Sequence, residues 1–340
     1  MSWTAGGAYA KVKGMKELTT TATAEDIWSS EAEKLPASIY LGTSTWAFPG
    51  WKGLIYKRAY KSQKDFTANS LGEYATIPWF RTACIDSFFY NPPKPETLVH
   101  YASLVPDTFR WVSKVWERLT IATYPKHPRY GAYTGPRNPD FLNVQLFKDA
   151  VLSAYQDPAV ALRTGPLVFQ FAPFSERAMR YSDFLDRLAT FLRELPPEFQ
   201  YAVEVRNPEL LTRDYFAALN EARVAHCFNH WNAMIPLHQQ MRAAAEAGGL
   251  TADFYIARLL TPLGTSYQNA EEIFEPYDRV QLPNAQMRGD VLRLVRRALT
   301  TGKRAFVTAN NKAEGNSPLT MVSIARLIVE NELYEVSRNS

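Results

Sequence analysis

Eight short apolar, β-branched or aromatic runs recur along this chain, and each is followed by a stretch long enough for a helix. In order they are "IYLGTSTW" (39–46), "ACIDSFF" (83–89), "FRWVSKV" (109–115), "LVFQFAP" (167–173), "YAVEVRN" (201–207), "VAHCFNH" (224–230), "FYIARLL" (254–260) and "RAFVTANN" (304–311). Strand alternating with helix implies a parallel sheet, because a parallel pair needs a crossover that a helix supplies. Eight such units ending in a helix fit a closed (β/α)8 TIM barrel, an α/β fold in which closure removes both sheet edges. An open doubly wound sheet is the competitor, but the turn "GTSTWAFPGW" after the first run lacks the glycine spacing of a dinucleotide loop. One barrel domain over 38–335 is therefore expected, preceded by a polar extension, 1–37.

Helix starts are punctuated by Pro95, Asn138-Pro139, Ser182, Thr212 and Ser317-Pro318, each offering an N-cap oxygen or a proline in the first turn. Two connections, 116–137 and 261–284, exceed what a barrel needs. Both follow strands, so both should cover the C-terminal mouth, where long loops are usually functional.

Composition narrows the class. Of 340 residues, 46% are hydrophobic and 21% charged, which suits a globular core. The formal charge of +4, from 38 basic and 34 acidic residues, includes no basic tract of the kind an electrostatic nucleic-acid binder shows. Two cysteines, Cys84 and Cys227, both inside strand-like runs, exclude a disulfide framework and point to a reducing, cytoplasmic setting. No apolar run approaches the roughly 20 residues that span a bilayer, so no membrane partner is expected.

The period of two along a strand then assigns faces. On "YAVEVRN", Tyr201, Val203 and Val205 share one face and Ala202, Glu204 and Arg206 the other. The outer face of a parallel barrel packs helices and must be apolar, so Glu204 and Arg206 point inward. The same parity turns Lys114, Gln170, Asp86, Arg258 and Asn310 inward, near the strands' C-terminal ends. Burying ions costs several kcal/mol unless they are paired. One reading of this polar crown is an internal salt-bridge lattice. The other counts three cations, Lys114, Arg206 and Arg258, against two carboxylates, leaving one positive charge for a small anionic ligand, with the arginines suited to phosphate or carboxylate.

On that second reading Glu204, Lys114 and Asp86 are the candidate catalytic residues, Glu204 as general acid or base with its neighbours setting its proton affinity. Arg206, Arg258, Gln170, Asn310, Asn311, Ser44, Trp46, Trp51 and Tyr90 are the candidate ligand-binding residues, the aromatics as stacking walls or as ordinary rim packing. No cofactor is expected. His226 and His230 lie about 13 Å apart along an extended strand and cannot share an ion, so a divalent metal would require Asp86, Glu204 and His230 to converge. A competing reading makes the protein a nucleic-acid-binding module, using the aromatic mouth and the basic loop "YPKHPRYGAYTGPR" (124–137). A third makes it a non-catalytic scaffold.

The chain also resembles a family, the YecE-like proteins classed as domain of unknown function 72. "LGTSTWAFPGW" is similar to the family's Gly-Thr-Ser-x-Trp opening, and "CIDSFFYNPPKPETL", "FRWVSKV", "GPLVFQFAP", "VEVRNPEL", "ARLL" and "ANNKAEGNS" continue the likeness over about 39–330. It departs at Asp86, where the family commonly has Glu, and after Arg258, where Leu-Leu replaces a histidine and glycine. The resemblance implies a (β/α)8 barrel and the place of its site. It implies no reaction; a hydrolase- or isomerase-like activity on a phosphate- or sugar-containing anion is the expectation from the residues.

Overall fold

Each of the eight apolar runs overlaps a strand, the second strand starting one residue and the fourth three residues ahead of its run, and the strands close on themselves. The structure, a computed structural model, describes residues 17–125, 128–133, 135, 137–331 and 333. In chain order the elements are β1 (Ile39–Thr43), α1 (Gln63–Tyr74), β2 (Thr82–Ile85), α2 (Pro95–Leu104), β3 (Trp111–Lys114), α3 (Val144–Ala150), α4 (Pro158–Arg163), β4 (Thr164–Gln170), α5 (Tyr181–Arg193) and β5 (Tyr201–Glu204). They continue with α6 (Arg213–Glu221), β6 (Ala225–His230), α7 (Leu237–Glu246), β7 (Phe254–Leu259), α8 (Tyr267–Phe274), α9 (Ala285–Thr300), β8 (Arg304–Ala309) and α10 (Ser317–Glu330). All neighbouring strands are parallel, and β8 pairs with β1 from Ile39↔Ala305 to Thr43↔Ala309. The result is a closed (β/α)8 barrel, with no helix among the described residues long and apolar enough to cross a membrane.

Two apolar layers follow from the strand parity. The inward positions Cys84, Val112, Val168, Ala202, Ala225, Cys227, Phe254, Ile256 and Phe306 form one buried cluster, the plug of the barrel. The alternate positions, such as Leu41, Phe169, Val203, Phe228, Ala257 and Val307, pack with the helices in the larger core outside the sheet. At Gly42 the first two strands come so close that a Cβ would lie 1.8 Å from the Thr82 carbonyl oxygen. Only glycine fits there.

Some helix starts fall where the punctuation puts them and others shift. Thr212 accepts from the Tyr215 N–H, and Pro95 opens α2. Asn316, one residue ahead of the expected signal, caps α10. α3 begins at Val144 under an Asn143 cap, not at Asn138-Pro139, because Asn138 instead donates to the carbonyls of Arg118 and Ile121 and ties down the loop. α5 begins at Tyr181 with Ser182 already inside it.

Residues 17–37 are stitched to the barrel's outside by specific contacts. Ile27 and Leu35 are buried, Asp26 pairs with Arg326 at 2.7 Å, and the Trp79 indole donates to the Asp26 carbonyl. Arg288 reaches from the first turn of α9 to the carbonyls of Leu18 and Thr20 while forming a fully buried two-pronged pair with Glu314. Residues 1–16 lie outside the described residues, as do Lys126 and His127 of the basic loop.

Candidate functional site: an ionised crown at the barrel mouth

The C-terminal ends of β2, β3, β4, β5 and β7 bring six polar side chains into one connected group. Arg258, on β7, is at its centre. Its Nη1 donates to Glu204 Oε2 on β5 at 2.5 Å and to Gln170 Oε1 on β4 at 3.1 Å, and its Nη2 donates to Asp86 Oδ1 at 3.2 Å, just beyond β2. Arg206, two residues past Glu204 on the same inward face, donates from Nε to Glu204 Oε1 and from Nη2 to Gln170 Oε1, each at 3.0 Å. Its guanidinium lies against the Trp231 ring, 4.8 Å from the ring centre, a stacking that fixes its plane. Lys114 ends β3 with its ammonium 4.0 Å from Asp86 Oδ1 and 3.9 Å from the centre of the Phe89 ring. Beneath them the Cys84 thiol donates to Asp86 Oδ1 at 3.1 Å.

The two carboxylates are held in different ways. Glu204 is wholly buried, with both oxygens occupied by guanidinium donors. Burial pushes its proton affinity up, but the charges of Arg258 and Arg206, the Arg258 hydrogen bond and Lys114 together outweigh it and hold the carboxyl at about 2. At neutral pH it is a permanent anion, so the proton-transfer role expected for it meets a carboxylate that is neither exposed nor free. Asp86 retains 33% of its side-chain exposure, and all three of its neighbours approach the same oxygen, Oδ1. Among the described residues, Oδ2 has no partner.

The cations differ likewise. Arg258 is buried with both Nη groups engaged. Arg206 keeps Nη1 free of any described partner. The Lys114 ammonium, 8% exposed by side chain, makes no hydrogen bond among the described residues. Burial lowers its proton affinity below the ordinary lysine value; Asp86 raises it, Arg258 lowers it, Glu204 raises it and Arg206 lowers it, for a net decrease.

The other expected ligand residues are distributed differently. Trp46 packs edge-on against Tyr101, and Trp51 lies between Phe48 and Tyr56, both indoles buried. These rings fill the core beside the first strand and present no open face to the mouth. Ser44 is buried after β1, its hydroxyl unpartnered among the described residues. Asn310 accepts from the Lys312 N–H, and Asn311 accepts from the N–H and hydroxyl of Ser317; both cap the chain after β8. Tyr90 is half exposed beside Phe89.

Sequence parity alone also points to Asn229, the inward residue in register with Arg258, which alternates with the outward histidines of its strand. His226 faces outward to Tyr215 and Gln240. His230 shares that outward parity, so it does not join Asp86 and Glu204. Its two ring nitrogens are buried without a partner among the described residues, and burial lowers it to about 4. Among the described residues no three His, Cys, Asp or Glu side chains gather as metal ligands.

Eight parallel strands with an apolar plug below and ionised groups at their carboxyl ends define a (β/α)8 barrel protein with a charged mouth. Residues 40–338 match the family model described as "Protein of unknown function DUF72", and the chain belongs to that family. Crystal structures of two DUF72 family proteins are similar to it. The one from Enterococcus faecalis V583 is 16% identical with a TM-score of 0.56, covering 85% of this chain and 95% of its own. The one from Thermotoga maritima MSB8 is 18% identical with a TM-score of 0.54, covering 85% of this chain and 98% of its own. At such identity the likeness carries the fold. No curated protein matches the chain.

Proposed function

We propose that the protein binds a small anion at the barrel mouth, between Lys114 and Arg206, and acts on it in a hydrolase- or isomerase-like reaction. The observation that carries this reading is the Lys114 ammonium, which is almost buried yet has no hydrogen-bond acceptor among the described residues. A cation taken out of water normally has its donors satisfied, because leaving them open forfeits the compensation for desolvation. Three cations surround two carboxylates, so the crown keeps one positive charge that an anion would neutralise. Arg206 Nη1 supplies a second open donor, with Trp231 holding its plane.

The remaining residues take roles that follow from their engagement. Glu204 and Arg258 are the fixed ion pair that holds the cations in place, Gln170 bridges the two guanidiniums, and Asp86, the partly exposed carboxylate, is the proton-transfer group. Titration calorimetry with inorganic phosphate and with lactate at pH 7 tests the binding. The wild type is expected to bind at least one of them, and Lys114→Met to weaken that binding at least about tenfold, the scale of a lost charge-assisted contact, while circular dichroism shows the fold retained. No binding of either anion, or equal binding by the folded variant, would overturn the reading. Because only the protonated ammonium attracts an anion, affinity falls as pH rises through the lowered Lys114 value.

A further inference from the structure

We infer that the ligand class is a hydroxy carboxylate, such as a sugar acid, bound with its carboxylate on Lys114 and Arg206 and a neighbouring hydroxyl on Asp86 Oδ2. This rests on the anion-binding reading above and narrows it. Charge comes first. The crown carries an excess of one, which a single carboxylate neutralises; a phosphate monoester dianion would leave a net negative group beside Asp86 in a poorly solvated site, where unpaired charge is costly.

Donor geometry is compatible with this ligand. Arg206 donates one N–H from Nε to Glu204 and one from Nη2 to Gln170, which leaves both hydrogens of Nη1 and the second of Nη2 for a ligand. With the Lys114 ammonium they can take the two oxygens of a planar carboxylate.

Asp86 supplies the third element. Cys84, Arg258 and Lys114 all approach Oδ1, which clamps the carboxylate by one oxygen and leaves Oδ2 an acceptor with no donor among the described residues. The side chain is one-third exposed. Its lone-pair complement is a donor, and a second anionic group there would be repelled. A hydroxyl close to the bound carboxylate meets that requirement and also lies where Asp86 can move its proton.

The experiment compares matched pairs on the wild-type protein by calorimetry at pH 7: lactate against propionate, and gluconate against hexanoate, with methyl phosphate as the dianion control. The hydroxy acids should bind about tenfold tighter than their deoxy partners, the scale of a hydrogen bond to a charged group. Asp86→Ala should erase that ratio while still binding propionate. Equal binding of each pair by the wild type, with binding still lost in Lys114→Met, would overturn the hydroxyl assignment and leave the anion site standing. Tighter binding of methyl phosphate than of lactate would overturn the carboxylate assignment. Absence of binding by every acid and by phosphate would remove both readings. The wild-type ratios decide the matter even where Asp86→Ala fails to fold.

Discussion

Glu204→Gln keeps the shape of the side chain and removes its charge, leaving Arg258 and Arg206 with a neutral partner inside the barrel. Two independent routes give its cost. Glu204 sits at about 2 in the fold against 4.5 for the ordinary group, a difference worth about 3 kcal/mol at neutral pH. Breaking a buried ion pair from one side costs about 3–5 kcal/mol. Spread over the unfolding entropy of 340 residues, a loss of this size lowers the melting temperature by about 5 °C. Because the folded value lies below the unfolded one, the contribution is fully present above 4.5 and is lost as pH falls toward 2. Urea unfolding of wild type and variant at pH 7 and pH 3.5 is the assay, and the stability gap should shrink by about 1 kcal/mol between the two. A gap under about 1 kcal/mol at pH 7, or one equal at both pH values, would refute the claim that Glu204 is a buried, permanently ionised anchor.

Gly42→Ala places a Cβ against the Thr82 carbonyl at the β1–β2 seam, so the variant should be recovered mostly insoluble or should unfold at clearly lower urea; wild-type stability would show that the seam can open. His230→Leu removes two buried nitrogens that have no partner among the described residues and should stabilise the protein by about 1–3 kcal/mol at pH 7. Since His230 sits at about 4 in the fold against 6.5 outside it, the wild type loses stability as pH falls from 6.5 toward 4, and the variant's advantage should widen over that window. An advantage that is absent, or independent of pH, would mean that the imidazole is solvated or bonded.

The barrel was legible because its signal is periodic: eight runs at helix-length spacing survive whatever the loops do. The inward direction of Lys114, Gln170, Glu204, Arg206 and Arg258 was legible for the same reason, since a parallel barrel leaves polar residues one face to occupy. Parity gives direction and not partnership. That Glu204 is saturated while Asp86 keeps an open oxygen depends on Arg258, 54 residues beyond Glu204 and two strands further round the barrel. Trp46 and Trp51 stand next to the first strand as their positions imply, yet their rings turn into the core against Tyr101, Phe48 and Tyr56. The Arg288–Glu314 pair left no mark in the sequence at all, because its two ends meet through the register of α9 against the turn after β8.

The most direct test is to read the Lys114 ammonium itself, by NMR titration of lysine labelled at Cε and Nζ and assigned with Lys114→Met, with and without lactate. Titration below the ordinary lysine value in the free protein, moving upward when lactate is added, is the result expected of a desolvated cation facing an open anion position. Titration at the ordinary value, or one that lactate leaves unchanged while other lysines respond, would contradict it.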